Sequence, residues 1–122
     1  MKYKIILAED EPQIARLIKF KLEREGYEVI WEKDGGAAFE SIKENTPDLV
    51  LLDIMMPVMD GYQVLKKIKE DENLKNIPVI MLTAKGQERD IVKGIEMGSE
   101  DYIVKPFRPA ELVARIKKVL GD

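Results

Sequence analysis

Five short apolar runs, each followed by a stretch with helical spacing, restrict the fold of this chain more than any other feature. The runs are Ile5 to Ala8, Tyr27 to Trp31, Leu49 to Leu52, Val79 to Leu82 and Tyr102 to Val104. Rich in Ile, Val and Leu, they read as strands, and several are apolar at consecutive positions, as strands covered on both faces are. Between them Ile14, Leu17, Ile18 and Leu22 predict one amphipathic helix; Ala38, Phe39 and Ile42 a second; Val64, Leu65 and Ile68 a third. Ile91 and Ile95 mark the fourth, and Leu112, Val113, Ile116 and Leu120 the fifth. Pro12 and Pro109 suit first-turn positions, Asp34 suits an N-cap, and Gly26 and Gly98 suit helix stops.

Strand and helix thus alternate five times in 122 residues, enough chain for one core of ordinary size. The order predicts a single α/β domain: a doubly wound three-layer (βα)5 sandwich on a five-stranded parallel sheet with right-handed crossovers. In such sheets ligands bind beyond the carboxyl ends of the strands, where the winding reverses. The chemistry is therefore expected just after each strand.

Composition narrows that chemistry. The chain has no cysteine and no histidine, which excludes disulfides, thiolate or imidazole metal sites and imidazole general bases. Twenty Lys and Arg against twenty-three Asp and Glu leave a net charge of -3, without the basic excess that grips phosphate backbones, so no direct nucleic-acid binding by this segment is expected. Lys66, Lys67 and Lys69 read as a solvated helix face, and so do Lys117 and Lys118. No apolar run approaches the length of a membrane span and Met1-Lys-Tyr-Lys lacks a signal-peptide core, so the expected address is the cytoplasm.

The residues at the strand ends are Glu9 and Asp10 after the first run, Asp53 after the third, Thr83 after the fourth and Lys105 after the fifth. A few ångströms apart at an effective dielectric near 20, each pair of like charges repels by roughly 4 kcal/mol, so three carboxylates there require a cation or a proton. An all-oxygen cluster suits a hard ion, and few protein ligands with open water positions favour Mg²⁺ over a caged Ca²⁺. Mg²⁺ also neutralises phosphate oxygens, which makes phosphoryl transfer the natural reaction class. Asp53, alone on a central strand, is the expected nucleophile; Lys105 supplies a compact charge and Thr83 a hydroxyl for the phosphoryl oxygens.

With those residues in view, the chain resembles the receiver domain of bacterial two-component response regulators, similar to the chemotaxis receiver and to the OmpR/PhoB type. The motifs are Ala8-Glu-Asp-Glu-Pro12, Leu51-Leu-Asp-Ile-Met-Met-Pro57 with Asp60-Gly61, Val79-Ile-Met-Leu-Thr-Ala84 and Asp101-Tyr-Ile-Val-Lys-Pro-Phe107. The likeness covers residues 3 to 120, so residues 1–122 are expected to form one receiver domain with a flavodoxin-like fold. It implies that Asp53 accepts a phosphoryl group from the phosphohistidine of a partner kinase. It further implies Mg²⁺ (Mn²⁺ could substitute) held by Asp10, Asp53, the backbone carbonyl of Met55 and, through water, Glu9.

By the same resemblance Thr83 and Tyr102 form a switch pair, in which the hydroxyl swings to the phosphoryl group and the ring turns inward. Ala84 leaves the phosphoryl group accessible, Met55 and Lys85 flank the site where phosphate lifetime is tuned, and the Lys105-Pro106 bond is expected to be cis, aiming the ammonium inward. The domain would catalyse its own phosphorylation and dephosphorylation as a signalling protein rather than a metabolic enzyme, controlling an output domain or partner, as in transcription regulation. The OmpR/PhoB type dimerises, when phosphorylated, through the face of the fourth helix, fifth strand and fifth helix. Glu96, Asp101, Glu111, Arg115 and Lys117 match that charged pattern; Ile91 departs from it, because a basic residue is usual where Glu111 seeks its partner.

Taken singly, each signal has an ordinary reading: Glu9-Asp10 as a solvated turn, Asp53 as a loop cap, Lys105 as a surface charge, Thr83 and Tyr102 as strand packing. Their convergence on one sheet edge favours function. Met55, Met56 and Met59 read as loop and core filler, Trp31 and Phe107 as packing. An aspartate-nucleophile phosphatase of the dehalogenase type would want a second Asp where Met55 stands. A non-phosphorylated pseudo-receiver usually lacks an acid, the Thr or the Lys. A nucleotide-binding domain is disfavoured because no Gly-x-Gly-x-x-Gly or Walker spacing occurs.

Overall fold

A computed structural model of the chain describes residues 2–84 and 88–122. Lys85 lies outside the described residues. The elements run β1 (Lys4–Ala8), α1 (Pro12–Arg24), β2 (Glu28–Glu32), α2 (Gly35–Asn45), β3 (Leu49–Asp53), α3 (Gly61–Glu70), β4 (Val79–Ala84), α4 (Glu88–Glu96), β5 (Asp101–Lys105) and α5 (Pro109–Leu120). All four strand pairings are parallel and the sheet order is β2-β1-β3-β4-β5. The winding reverses between β1 and β3, which puts the expected ligand cleft at the carboxyl ends of those two strands.

Successive residues of the central strands face opposite helical layers. Ile5, Leu7, Leu49 and Leu51 pack with Ala15, Ile18 and Leu22 of α1 and with Leu112, Val113 and Ile116 of α5. Ile6, Ala8, Val50 and Leu52 pack with Ala38 and Ile42 of α2 and with Val64, Leu65 and Ile68 of α3. Every one of these except Val113 is fully buried, each large side chain contributing about 2 kcal/mol against conformational entropy. A continuous apolar run is needed because both faces are covered.

Helix ends follow local chemistry. Pro12 and Pro109 sit in the first turns of α1 and α5. Asp34 caps α2 by accepting from the Ala37 N–H at 2.7 Å, and Gly26 and Gly98 adopt left-handed φ of 95° and 104°. Two residues assigned to buried helix faces are exposed: Leu17 by 49% and Ile95 by 52%. In α1 the inward stripe is Ala15, Ile18 and Leu22, and Leu17, one position from Ile18, is rotated about 100° away from it. In α4 the buried position is Gly94, which brings the backbone close to Met81, and the adjacent Ile95 turns outward.

Candidate functional site

The polar residues at the strand ends belong to the strands more than their side chains suggest. Asp53 is the last residue of β3, Thr83 precedes the last residue of β4 and Lys105 closes β5, whereas Glu9 and Asp10 follow β1. β2 starts and ends one residue later than the apolar run Tyr27 to Trp31, and β1 begins at Lys4. Backbone pairing is blind to side-chain polarity, so the ladders run past the last apolar residue: Asp53 pairs with Leu82, and Ala84 with Lys105.

The start of α3 is pressed against the end of β3. A Cβ on Gly61 would lie 2.4 Å from the Asp53 carbonyl oxygen and 2.8 Å from Ile54 Cα, so only glycine fits. Asp60 caps this helix in a capping box: the Gln63 N–H donates to Asp60 Oδ1 at 2.9 Å and the Asp60 N–H to Gln63 Oε1 at 2.8 Å. The loop between Asp53 and α3 is thereby held at both ends.

Glu9, Asp10 and Asp53 each offer a carboxylate oxygen within 4.8 Å of the others. Glu9 and Asp53 are buried, Asp10 is exposed. Lys105 reaches into the group, its Nζ 2.7 Å from Glu9 Oε1 and 3.1 Å from Asp53 Oδ2, and the Lys105-Pro106 bond is cis. Asp53 Oδ1 accepts from the Met55 N–H at 3.3 Å, and Glu9 Oε2 from the Glu11 N–H at 3.1 Å. Thr83 Oγ1 is buried without a hydrogen-bond partner among the described residues. A cleft of about 440 Å³, lined by Asp10, Asp53, Met55, Ala84, Asp90 and Lys105 among others, opens over these groups.

One ammonium lies against two of the three carboxylates, and the imbalance shows in the acidity of Glu9. Burial, with Asp53 alongside, pushes the Glu9 carboxyl up to about 7 despite the Lys105 ammonium beside it. Burial by itself would lower Lys105, but Glu9 and Asp53 outweigh it and hold the ammonium above its ordinary range. The site is rich in negative charge, oxygen-only and partly desolvated, which suits a hard divalent cation.

Of the other expected site residues, Tyr102 is half-buried on β5, its ring 5.6 Å from the Arg115 guanidinium. Arg115 bonds Asp101 through two contacts of 3.0 and 3.1 Å and Glu111 at 3.2 Å, so Glu111, which lacks a basic partner at Ile91, has one within its own chain. Lys117 pairs with Glu25, the residue capping the end of α1, at 3.4 Å, and Glu96 is exposed on α4. Met55 is 75% exposed rather than filler, while Met56 and Met59 pack against the core. Trp31 is half-buried and does more than pack: its indole Nε1–H donates to the Glu9 carbonyl oxygen at 2.8 Å. Asp90 on α4 reaches the cleft too. Its sequence surroundings carry no sign of this, because α4 is brought over the cleft only by packing on β4; the sign for Trp31 was an N–H-bearing ring at the end of a strand beside β1.

Fold and site together define a receiver module of two-component signalling, with a phosphoacceptor role. The chain belongs to that family: a family profile described as "Response regulator receiver domain" matches residues 5–117. The chain is similar to the phosphate regulon transcriptional regulatory protein PhoB of Escherichia coli, 45% identical over 98% of this chain and 52% of PhoB. It is also similar to the transcriptional regulatory protein SrrA of Staphylococcus aureus, 48% identical over 98% of this chain and 48% of SrrA. It therefore spans about half the length of these curated relatives. The crystal structure of a putative response regulator from Chloroflexus aurantiacus superposes with a TM-score of 0.96 at 34% identity, covering 100% of both chains. Among the described residues no helix is long and apolar enough to cross a membrane.

Proposed function

We propose that Asp53 is the phosphoacceptor, that a histidine kinase is the donor and that the domain works in the cytoplasm. The observation that carries this reading is the gathering of three carboxylates and one ammonium at the strand ends, with the Thr83 hydroxyl, buried and without a partner among the described residues, near the end of the strand that pairs with β3. A carboxylate oxygen of Asp53 forms a bond to phosphorus while the phosphorus–nitrogen bond of the donor phosphohistidine breaks, and the imidazole keeps the electron pair. Lys105 follows the new phosphoryl oxygens with its charge, and Thr83 Oγ1 donates to one of them, gaining a partner it lacks among the described residues. Tyr102 then turns inward behind Thr83, and this change is the output.

The donor set fits Mg²⁺, with Mn²⁺ as a substitute: Asp10, Asp53, the Met55 backbone carbonyl and, through water, Glu9 would hold it. When bound, the ion neutralises the excess carboxylate charge and that of the transferring group. Dimerisation of the phosphorylated form through α4, β5 and α5 would draw on Glu96, Asp101, Glu111, Arg115 and Lys117, and would require Arg115 to release its contacts within the chain.

Incubation with a small acyl-phosphate donor and Mg²⁺, read by intact mass, tests the assignment. A single phosphoryl adduct is expected on the natural protein and none on Asp53→Ala. An adduct that persists in Asp53→Ala places the nucleophile elsewhere.

A further inference from the structure

We infer that Trp31 is a positioning residue for the divalent-cation site, acting through the peptide that joins Glu9 to Asp10. The inference rests on the reading of Glu9, Asp10 and Asp53 as cation ligands. Asp10 is the exposed member of that trio, and its aim depends on the two peptides that flank it. Both are pinned. On one side the Glu9 carbonyl oxygen accepts the Trp31 indole N–H at 2.8 Å, while the preceding peptide is tied to β2 by the Glu9 N–H, which donates to the Glu32 carbonyl at 3.1 Å. On the other side the Glu11 N–H donates to Glu9 Oε2 at 3.1 Å.

Without the indole, the Glu9 carbonyl loses its side-chain partner and the peptide is free to rock about the β1 end. That motion spreads the directions of the Asp10 carboxylate, and three oxygens held within 4.8 Å against their mutual repulsion would relax apart. The ring is itself well fixed. It packs against the core layer formed by β1, α1 and α5, as Ile14 and Phe107 also do, and the Lys33 ammonium lies 5.6 Å from its centroid. A fixed donor orients a ligand-bearing peptide as outer partners of metal ligands do.

The test separates hydrogen bonding from packing with two substitutions, using Mg²⁺ titration by calorimetry at pH 8 and thermal melting in chelator. Trp31→Phe keeps an aromatic ring and removes the donor. Trp31→His keeps a five-membered ring whose Nε2–H superposes on the indole Nε1–H and removes the benzo half. The expected result is Mg²⁺ binding about fivefold weaker in Trp31→Phe, the loss of one neutral hydrogen bond. Trp31→His should keep near-natural affinity and show the lower melting temperature of the two.

Natural-protein affinity that Trp31→Phe leaves unchanged overturns the inference and leaves the cation site standing. So does an affinity that follows melting temperature across both variants, since that is the mark of packing alone. A natural protein that gives no Mg²⁺ signal overturns the cation reading itself and the inference with it.

Discussion

Lys105 Nζ stands 3.1 Å from Asp53 Oδ2 and 2.7 Å from Glu9 Oε1, so one ammonium closing β5 bridges two buried carboxylates from β3 and the end of β1. Removing it should leave two acids facing each other without compensation. Lys105→Ala is expected to fold but to lose about 3 kcal/mol at pH 8, the usual cost of breaking a buried pair from one side. It should still accept phosphoryl on Asp53, with its structural response uncoupled. Urea unfolding and backbone chemical shifts with and without an acyl-phosphate donor check both statements; natural-sized shifts on phosphorylation would count against the role of Lys105.

Glu9 provides a pH dependence. Its carboxyl is raised from 4.5 to about 7 in the folded protein, so the folded state binds a proton that the unfolded state has already released. Its contribution to stability is complete below 4.5 and is lost as pH climbs to about 7, by a few kcal/mol at most. In metal-free solution the stability difference between Glu9→Gln and the natural protein should grow in favour of the variant across that window and then level. Saturating Mg²⁺ should flatten the difference. A pH-independent difference in chelator would contradict the shift.

Val58 has a left-handed φ of 70° and is 81% exposed, an unfavourable conformation for a β-branched residue with little packing in return. Val58→Gly should stabilise the protein by about 1 kcal/mol, the strain relieved exceeding the extra entropy of the unfolded chain. The denaturation midpoint should rise without a change in slope. A lowered midpoint would show that the valine side chain contributes more than its exposure suggests.

Gly61→Ala would drive a Cβ into the Asp53 carbonyl and Ile54 Cα. Since both are backbone at the end of the central strand, the clash cannot be relieved by a side-chain rotation. A loss of about 3 kcal/mol is expected, together with weaker Mg²⁺ binding, because the loop that carries Met55 must shift. Thermal melting and Mg²⁺ calorimetry on the same sample decide it. A variant as stable as the natural chain would mean that α3 can move away at little cost.

The apolar runs and helical spacings carried the five strands, five helices and the parallel sheet, because burial on both faces demands unbroken runs whatever the surroundings. They also placed Glu9, Asp10, Asp53, Thr83 and Lys105 on one rim, since parallel strands deliver all their carboxyl ends to the same edge. What depended on packing was invisible to them. Leu17 and Ile95 are apolar and at helical spacing, yet which side of a helix meets the sheet is settled by its neighbours. The pairing of Arg115 with Asp101, and the bond from Trp31 to the Glu9 carbonyl, join residues whose distance along the chain says nothing of their distance in space. Local sequence therefore determined the elements and the inventory of chemical groups, while the tertiary structure decided which of those groups touch. Hydrogen bonds and ion pairs act over about 3 Å, and only the packed sheet brings partners from separate strands that close.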